Sequence, residues 1–532
     1  MREQAPKGPE PWRDGLTRAF TAPIGREPLA PLQTGAARLP PVPAAHPARK
    51  NCRYEREEAI RTMNGPKRLI CLLVGPAIFA VVSLLGAGLL TQPGALAVGT
   101  LLWMIFWWVT QPVNLTVTAL LPIIVNALFV IVPQSDVISQ YFSESIVLVF
   151  GSCLLTVPWA KTGLDKRVAY KILSVVGTSL TSQLIVWFIA SMLFSAVLPN
   201  IAVVALFCPV ALAMIKAAGY KSVQDCPAGP PIFLAICWGD VLGGIITPLG
   251  GAMNVTAISL LQEATGQEVM YVSWIVRFLP YVITCSILFF AIMMFMFRKV
   301  EGLKGSKEFF TTSYRELGAI GRAEAICGIL FVLAFVGALC RPLFAEALPS
   351  LVPAYIFVGI GMLAFFITVA GEPIMTWDEA QKGVMWGMMY LFAGGLAVGA
   401  LLNGSGATAV IADIVQSMNF DGGITTILLF AALATILSEL TSSTVSSACT
   451  IPIVIAFAST AGVNVIPYWL ITIMAFDAEF LLPVSIRAVP ANYGLLPEHM
   501  LKKGLPIFIC KFLVVVILGY LLMTFWPGFS AL

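Results

Sequence analysis

From Leu69 to the C-terminus, apolar runs of about twenty residues recur in this chain, each long enough to cross the hydrocarbon core of a bilayer as a helix. The backbone of such a run must satisfy its own polar groups, which restricts the chain to helices in this setting. The fold expected is therefore an all-α polytopic membrane protein. Only 11% of the residues are charged and 58% are hydrophobic, against about 25% charged in a soluble domain. The net charge of +4 lies in loops and tails and excludes a nucleic-acid partner. The two histidines, His46 and His499, fall outside the apolar runs. With no H-E-x-x-H, and no G-x-S-x-G with a His partner, an enzyme is not expected, and no G-x-x-x-x-G-K-[ST] loop points to an ATPase. The cysteines, Cys153, Cys208, Cys237 and Cys285 among them, form no C-x-x-C pair and read as small buried hydrophobes.

Residues 1–62 are polar and rich in Pro and Ala, and read as a disordered, dispensable extension. A first membrane repeat spans 63–300, a cytoplasmic linker loop 301–324, and a second membrane repeat 325–532. Six Lys and Arg residues between 298 and 324 place that linker on the cytoplasmic side. Candidate spans in the first half lie near 69–91, 97–110, 113–132, 168–196, 200–217, 231–261 and 275–297, with a re-entrant or broken element at 143–164. Those of the second half lie near 325–342, 351–370, 384–402, 422–440, 445–464, 466–486 and 505–527. Trp103, Trp107 and Trp108 read as lipid-facing or interfacial.

Between two apolar runs stands a cluster of small hydroxyl residues, Leu440-Thr441-Ser442-Ser443-Thr444-Val445-Ser446-Ser447, ending at Pro452. Polar groups at that depth are costly unless they line a cavity or bind something. Some of these hydroxyls can also serve their own helix backbone. The cluster has a partner 243 residues upstream: Pro199-Asn200-Ile201 aligns with Ser442-Ser443-Thr444, and Pro209 with Pro452. A second pair of interrupted stretches follows, Gly243 to Gly250 in the first half and Phe480 to Ser485 in the second. Two apolar halves with matching breaks point to a transporter with its site at the repeat interface, and discontinuous helices are the form in which such sites are built.

These stretches resemble the divalent anion:sodium symporter family, the solute carrier 13-like dicarboxylate and citrate carriers of the ion transporter superfamily. The likeness rests on Leu198-Pro199-Asn200-Ile201-Ala202 through Pro209, on Ser442-Ser443-Thr444 through Pro452, on Thr247-Pro248-Leu249-Gly250-Gly251-Ala252-Met253-Asn254, on Pro112 through Pro122, and on Trp377-Asp378-Glu379-Ala380. It implies two inverted-topology repeats with re-entrant hairpins and discontinuous helices, a scaffold and a transport domain, a homodimer in the cell membrane, and no cofactor beyond Na⁺ as coupling ion. It implies substrate binding by Asn200, Ser442, Ser443 and Thr444. Cation binding is implied for Asn200, Thr247, Gly250, Asn254, Ser442 and Ser485. The chain departs from the pattern at Pro199 and Ile201, which supply no side-chain oxygen, and at Ser485-Ile486-Arg487-Ala488-Val489, which replaces the second Pro-Pro-Asn loop.

Five ionisable residues fall within or at the ends of apolar runs: Asp240, Glu439, Asp477, Glu479 and Arg487. Each is a functional candidate because burial costs several kcal/mol unless the charge is paired or solvated. Arg487 stands where the resembled family holds a second cation, and can pair with an anionic substrate. The alternatives are a structural pair with Glu479 or Asp477, or a helix-end Arg facing headgroups. Glu439 and Glu479 are the candidate proton carriers. The function expected is a secondary active carrier of small di- or tricarboxylates, Na⁺-coupled and working by alternating access. The alternative is an H⁺-coupled or exchange-type carrier of another anion such as sulfate.

Overall fold

The structure, a computed structural model, describes residues 66–531 apart from 89, 409, 411–421, 441 and 483–484. The extension 1–62 lies outside the described residues, as do Thr441 and Pro483. Among the described residues nine helices are long and apolar enough to cross a membrane. One antiparallel pair of two-residue strands is the exception to an otherwise helical chain.

The first half runs through α1 (Pro66–Leu85), α2 (Gln92–Thr110), α3 (Leu115–Thr118), α4 (Leu121–Phe129), α5 (Gln134–Gln140) and α6 (Glu144–Thr162). It continues with α7 (Leu164–Leu173), α8 (Leu180–Ser195), α9 (Asn200–Ala217), α10 (Gly229–Gly244), α11 (Ala252–Thr265) and α12 (Tyr271–Phe297). The second half holds α13 (Ser306–Glu316), α14 (Arg322–Leu339), α15 (Arg341–Phe344), α16 (Pro353–Phe366), β1 (Thr368–Val369), β2 (Glu372–Pro373), α17 (Trp377–Gly383) and α18 (Trp386–Gly404). It ends with α19 (Ile424–Leu440), α20 (Ser443–Ala461), α21 (Val465–Ala475), α22 (Ala488–Asn492) and α23 (Pro497–Phe525).

The helices that matter for the site start and stop for local reasons. Pro199 disfavours helix at the residue before it and leaves Asn200 to open α9. Ser442 caps α20, its hydroxyl accepting the Val445 N–H at 3.3 Å. Proline by itself does not set the breaks: Pro76, Pro158, Pro209, Pro280, Pro452 and Pro506 all sit inside helices. The chain leaves the helix instead at 196–199, 245–251 and 476–482, where side chains take over its backbone hydrogen bonds.

Several expectations are corrected. The element at 143–164 is one unbroken helix, α6, because its apolar sequence needs no interruption to pack. The spans at 113–132, 168–196 and 231–261 are each split in two. The linker is a folded segment carrying α13. Arg167 fastens it, with Nε 2.9 Å from Glu324 and its other nitrogens donating to the carbonyls of Leu317, Gly318 and Ala319. Trp108 is fully buried and donates to the Leu115 carbonyl at 3.2 Å, since an indole N–H seeks an acceptor inside the protein. His499 lies in the first turn of the apolar helix α23.

Packing places the breaks side by side. Helix α10 lies on α8 through Gly239 and Gly243, where a Cβ would fall 2.2 Å from the Phe188 carbonyl and 2.3 Å from that of Met192. Helix α11 packs on α20, and α19, α21 and α23 pack on one another. Leucines such as Leu73, Leu84 and Leu128 stay exposed, as expected of a surface that meets lipid.

Candidate functional site

In the first half, α10 unwinds after Gly244 and the freed carbonyls are met by side chains. Trp274 Nε1 donates to the Ile245 carbonyl at 2.9 Å. Asn254 Nδ2 donates to the carbonyls of Gly244 at 2.7 Å and Thr247 at 3.0 Å. The Thr247 hydroxyl donates to the Ala196 carbonyl at 2.5 Å, tying this break to the end of α8. Ser195 Oγ donates to the Asp240 carbonyl at 2.7 Å and lies 3.2 Å from Asn200 Oδ1. Gly250 must be glycine here, and any side chain at Gly244 would push the Asn200 amide aside. A Cβ at Gly244 would sit 2.7 Å from the Asn200 amide, and one at Gly250 2.5 Å from the Ser195 carbonyl. Asn254 Oδ1 is buried with no hydrogen-bond partner among the described residues.

The second half repeats this arrangement with different residues. Helix α21 stops at Ala475, and its last carbonyls are taken by side chains of other helices: Met474 by Tyr281 at 3.1 Å, Ala475 by Thr435 at 3.4 Å, and Phe476 by Lys511. The amides that follow are met from α19 and α20. Ser443 Oγ accepts from Asp477 at 2.9 Å and Ser438 Oγ from Ala478 at 3.2 Å. The Glu439 carboxylate accepts from Phe480 at 2.9 Å, Leu481 at 2.7 Å and Leu482 at 2.9 Å. This accounting lets a non-helical backbone persist in an apolar surrounding. Asp477 adopts a left-handed conformation, φ 53°, at the turn out of the helix. Ser195 and Ser438 are 243 residues apart, as are Asn200 and Ser443. Each serine reaches its own tip; Ser195 also reaches the Asp240 carbonyl inside α10, and Ser438 the Ala478 amide in the break after α21.

Six ionisable side chains converge between the two breaks, with exposures from 0% at Asp240 to 6% at Glu439: Asp240, Glu439, Asp477, Glu479, Arg487 and Lys511. Asp240 lies within electrostatic range of Arg487, Asp477 and Glu479, and Lys511 within range of Asp477 and Glu439. The Phe480 ring stands beside both bases, 5.4 Å from the Arg487 guanidinium carbon and 5.7 Å from Lys511 Nζ. Four acids face two bases, so the fully ionised cluster carries two uncompensated negative charges. Several of its polar atoms have no hydrogen-bond partner among the described residues: both Asp240 oxygens, Asp477 Oδ2, Glu479 Oε2, and Arg487 Nε and Nη2. The acids do not form a metal centre; among the described residues no group of three His, Cys, Asp or Glu could hold one.

The residues singled out in the sequence divide by what they touch. Ser443 is engaged by its neighbours, Ser438 Oγ at 2.9 Å and Glu479 Oε1 at 3.1 Å from both its hydroxyl and its amide. Ser442 caps α20, and Thr444 is half-buried in its first turn. Ser446 donates to the Ala434 carbonyl of α19 at 2.7 Å, and Ser447 to the Met253 carbonyl of α11 at 3.0 Å, so these two join helices. Thr450 bonds back to its own helix at the Ser446 carbonyl. Ser485 opens a 3₁₀ turn that ends at Arg487. Arg487 is buried, not at a headgroup surface, and makes no ion pair with Glu479 or Asp477. Lys511 and the two serines Ser195 and Ser438 were missed in the sequence. A lone Lys inside the apolar run 505–525 was the available signal for the first, and the 243-residue offset for the others.

Two facing breaks, each fed by a helix N-terminus, define a membrane transporter and not an enzyme. The sequence model of the citrate transporter family, CitMHS, matches residues 105–476. The chain belongs to that family, and with it to the divalent anion:sodium symporters whose motifs it carries. It is 25% identical over 474 residues to the sodium-dependent dicarboxylate transporter SdcS of Staphylococcus saprophyticus, covering 86% of this chain and 91% of that protein. It is also 25% identical over 482 residues to SdcS of Staphylococcus aureus, covering 87% and 92%. Among solved structures it is similar to the YdaH transporter of Alcanivorax borkumensis, with a TM-score of 0.48 and 13% identity over 76% of this chain and 90% of that one. The protein is a multi-pass protein of the plasma membrane.

Proposed function

We propose that the chain is a secondary active carrier of small organic anions, di- and tricarboxylates, coupled to Na⁺ and working by alternating access. The observation that carries this reading is the buried Arg487 guanidinium, with Nε and Nη2 unpartnered, beside a broken helix. Buried guanidinium N–H groups without a hydrogen-bond acceptor are a costly arrangement that an incoming carboxylate relieves, bidentately in the favourable case. The family description and the relatives' names support the substrate class: a citrate transporter, and sodium-dependent dicarboxylate transporters.

The substrate's second carboxylate is received at the N-termini of α9 and α20, where backbone N–H groups and the helix dipole favour negative charge. Asn200, Ser442 and Thr444 make the direct contacts, and Ser443 fixes the second tip. Na⁺ binds in the first half at Asn200, Thr247, Gly250 and Asn254, where the unpartnered Asn254 Oδ1 is available as a ligand. In the second half, near Ser442 and Ser485, Arg487 takes the place of a second Na⁺. With its charge offset, the substrate moves as the transport domain shifts as a body against the scaffold of a homodimer.

A second reading, an H⁺-coupled or exchange-type carrier of another anion such as sulfate, is favoured by one observation. The buried acids outnumber the bases by two, and protons can balance what Na⁺ does not. Uptake of radiolabelled succinate, citrate and sulfate into proteoliposomes, in Na⁺ and in choline, tests both. Saturable, Na⁺-stimulated uptake of succinate or citrate is expected. Uptake of sulfate alone, or uptake indifferent to Na⁺ but driven by a pH gradient or internal substrate, selects the second reading. Uptake of none of the three overturns both.

A further inference from the structure

We propose that Asp240 is a proton-binding site linked to the anion site through Arg487, so that each anion bound brings a proton to Asp240. This rests on the carrier reading above. Asp240 is fully buried on α10, and neither carboxylate oxygen has a hydrogen-bond partner among the described residues. Glu439, by contrast, uses both oxygens to accept three backbone N–H groups and serves as an anchor. Glu479 has one oxygen committed to Ser443. Asp477 leaves its Oδ2 unpartnered but lies in range of Lys511 as well as Arg487. Among the described residues, Asp240 is the acid of the cluster with both oxygens unpartnered and no lysine in range.

Its surroundings are few. From α8 comes the Ser195 hydroxyl, which donates to the Asp240 backbone carbonyl and stands close enough to the carboxyl group to act on it. From α9 comes the Cys208 thiol, and from one turn earlier on α10 the Cys237 thiol. From the break after α21 come Asp477 and Glu479, and from the 3₁₀ turn Arg487. No charged group of α12, which also packs on α10, faces Asp240. Among the described residues Arg487 is the one basic group in its range, and so the one charge there that favours ionised Asp240.

The coupling follows from sharing that cation. In the empty carrier the guanidinium offsets the Asp240 carboxylate. An anion that takes over Arg487 cancels its charge and leaves Asp240 among two like charges in an apolar surrounding, where ionised carboxylate is disfavoured. A proton from water then binds one Asp240 oxygen, converting –COO⁻ to –COOH. When the anion leaves on the other side, Arg487 is restored and the proton leaves too. Substrate and H⁺ therefore travel together, and one negative charge of the anion is neutralised on the way.

The test uses the purified full chain in detergent, with succinate, citrate and sulfate as probes. Proton uptake on adding the probe is read by a pH dye in weak buffer, and binding by calorimetry at several pH values above neutrality. Linkage requires uptake of about one proton per anion bound and about a tenfold affinity gain per pH unit lowered. Asp240→Asn is expected to bind the anion with no uptake and no pH dependence, and Asp240→Glu to restore both. If the Asn variant does not fold, Asp240→Glu decides: the pH midpoint of uptake is expected to move with the longer side chain, and a midpoint identical to wild type overturns the site. Binding without proton uptake, or uptake that persists in Asp240→Asn, overturns the proton site and leaves the carrier reading standing. Failure to bind any of the three anions overturns both.

Discussion

Ser443 and Glu479 hold each other twice: Glu479 Oε1 accepts from the Ser443 amide and from its hydroxyl, each at 3.1 Å. One residue opens helix α20 and the other lies in the break that follows α21, so this pair fixes the second tip against its loop. Replacing Ser443 with Ala removes the hydroxyl bonds to Ser438, Glu479 and Asp477 while sparing the helix. Losing a bond to a charged acceptor costs about 1.5–3 kcal/mol. A weakening of succinate binding by about ten- to a hundredfold is expected. Calorimetry on the variant checks it, and wild-type affinity would show the tip to be indifferent to its anchor.

Glu439→Ala leaves the amides of Phe480, Leu481 and Leu482 buried without an acceptor. At about 1–3 kcal/mol for each orphaned group, a loss of several kcal/mol is expected, lowering the thermal midpoint and the yield of folded protein. Gln keeps one acceptor oxygen and should fall between the two. Thermal unfolding in detergent, followed by tryptophan fluorescence, measures the order wild type, Gln, Ala.

Arg487→Gln should abolish high-affinity anion binding, at a cost of about 2–5 kcal/mol for an unpaired buried carboxylate left behind. Arg487→Lys keeps the charge but loses the planar fork, so an intermediate loss is expected. A titration of succinate against both variants decides, and unchanged affinity in the Gln variant removes the guanidinium from the site.

Gly244→Ala places a methyl group 2.7 Å from the Asn200 amide, closer than any ordinary contact. The amide must move, and with it the first tip. The expected outcome is a protein that reaches the membrane in normal amount but transports poorly. Surface labelling set against uptake separates this from simple misfolding.

Lys161, in the last turn of α6, places its Nζ 2.9 Å from Glu379, which lies outside the spans and also caps α17 by accepting the Thr376 N–H at 2.8 Å. Burial pushes the Glu379 carboxyl up, but the bonds from Lys161 and Thr376 outweigh it and hold the carboxyl below its ordinary value. A lowered folded-state value means the contribution is present at neutral pH. It is lost as pH falls through that value. Because both side chains are substantially exposed, it amounts to under about 1 kcal/mol. The thermal-midpoint difference between wild type and Glu379→Gln should therefore be small at neutral pH and vanish in acid.

The residue pattern alone was enough for the apolar helical character of the chain and for the helix starts at Asn200 and Ser443, though not for how the spans at 113–132, 168–196 and 231–261 divide. Both are local signals: uninterrupted apolar length in one case, and small polar residues next to a helix start in the other. The breaks were harder. Pro452 and Pro209 look like breakers yet lie inside helices, while the chain unwinds at 476–482, with no proline among those residues. That unwinding depends on Glu439, Ser438, Tyr281, Thr435 and Lys511, contributed by three other helices.

Sequence by itself determined where this chain meets lipid and where its polar tips begin, because helix length and capping are read over a few neighbouring residues. Tertiary structure alone decided which charges meet. Asp240, Glu439, Asp477, Arg487 and Lys511 sit on segments separated by up to 271 positions and become one cluster only when α10, α19, α21 and α23 pack. In an apolar interior a charge must be answered by another group nearby in space, whatever its place along the chain, and that requirement has no local signature.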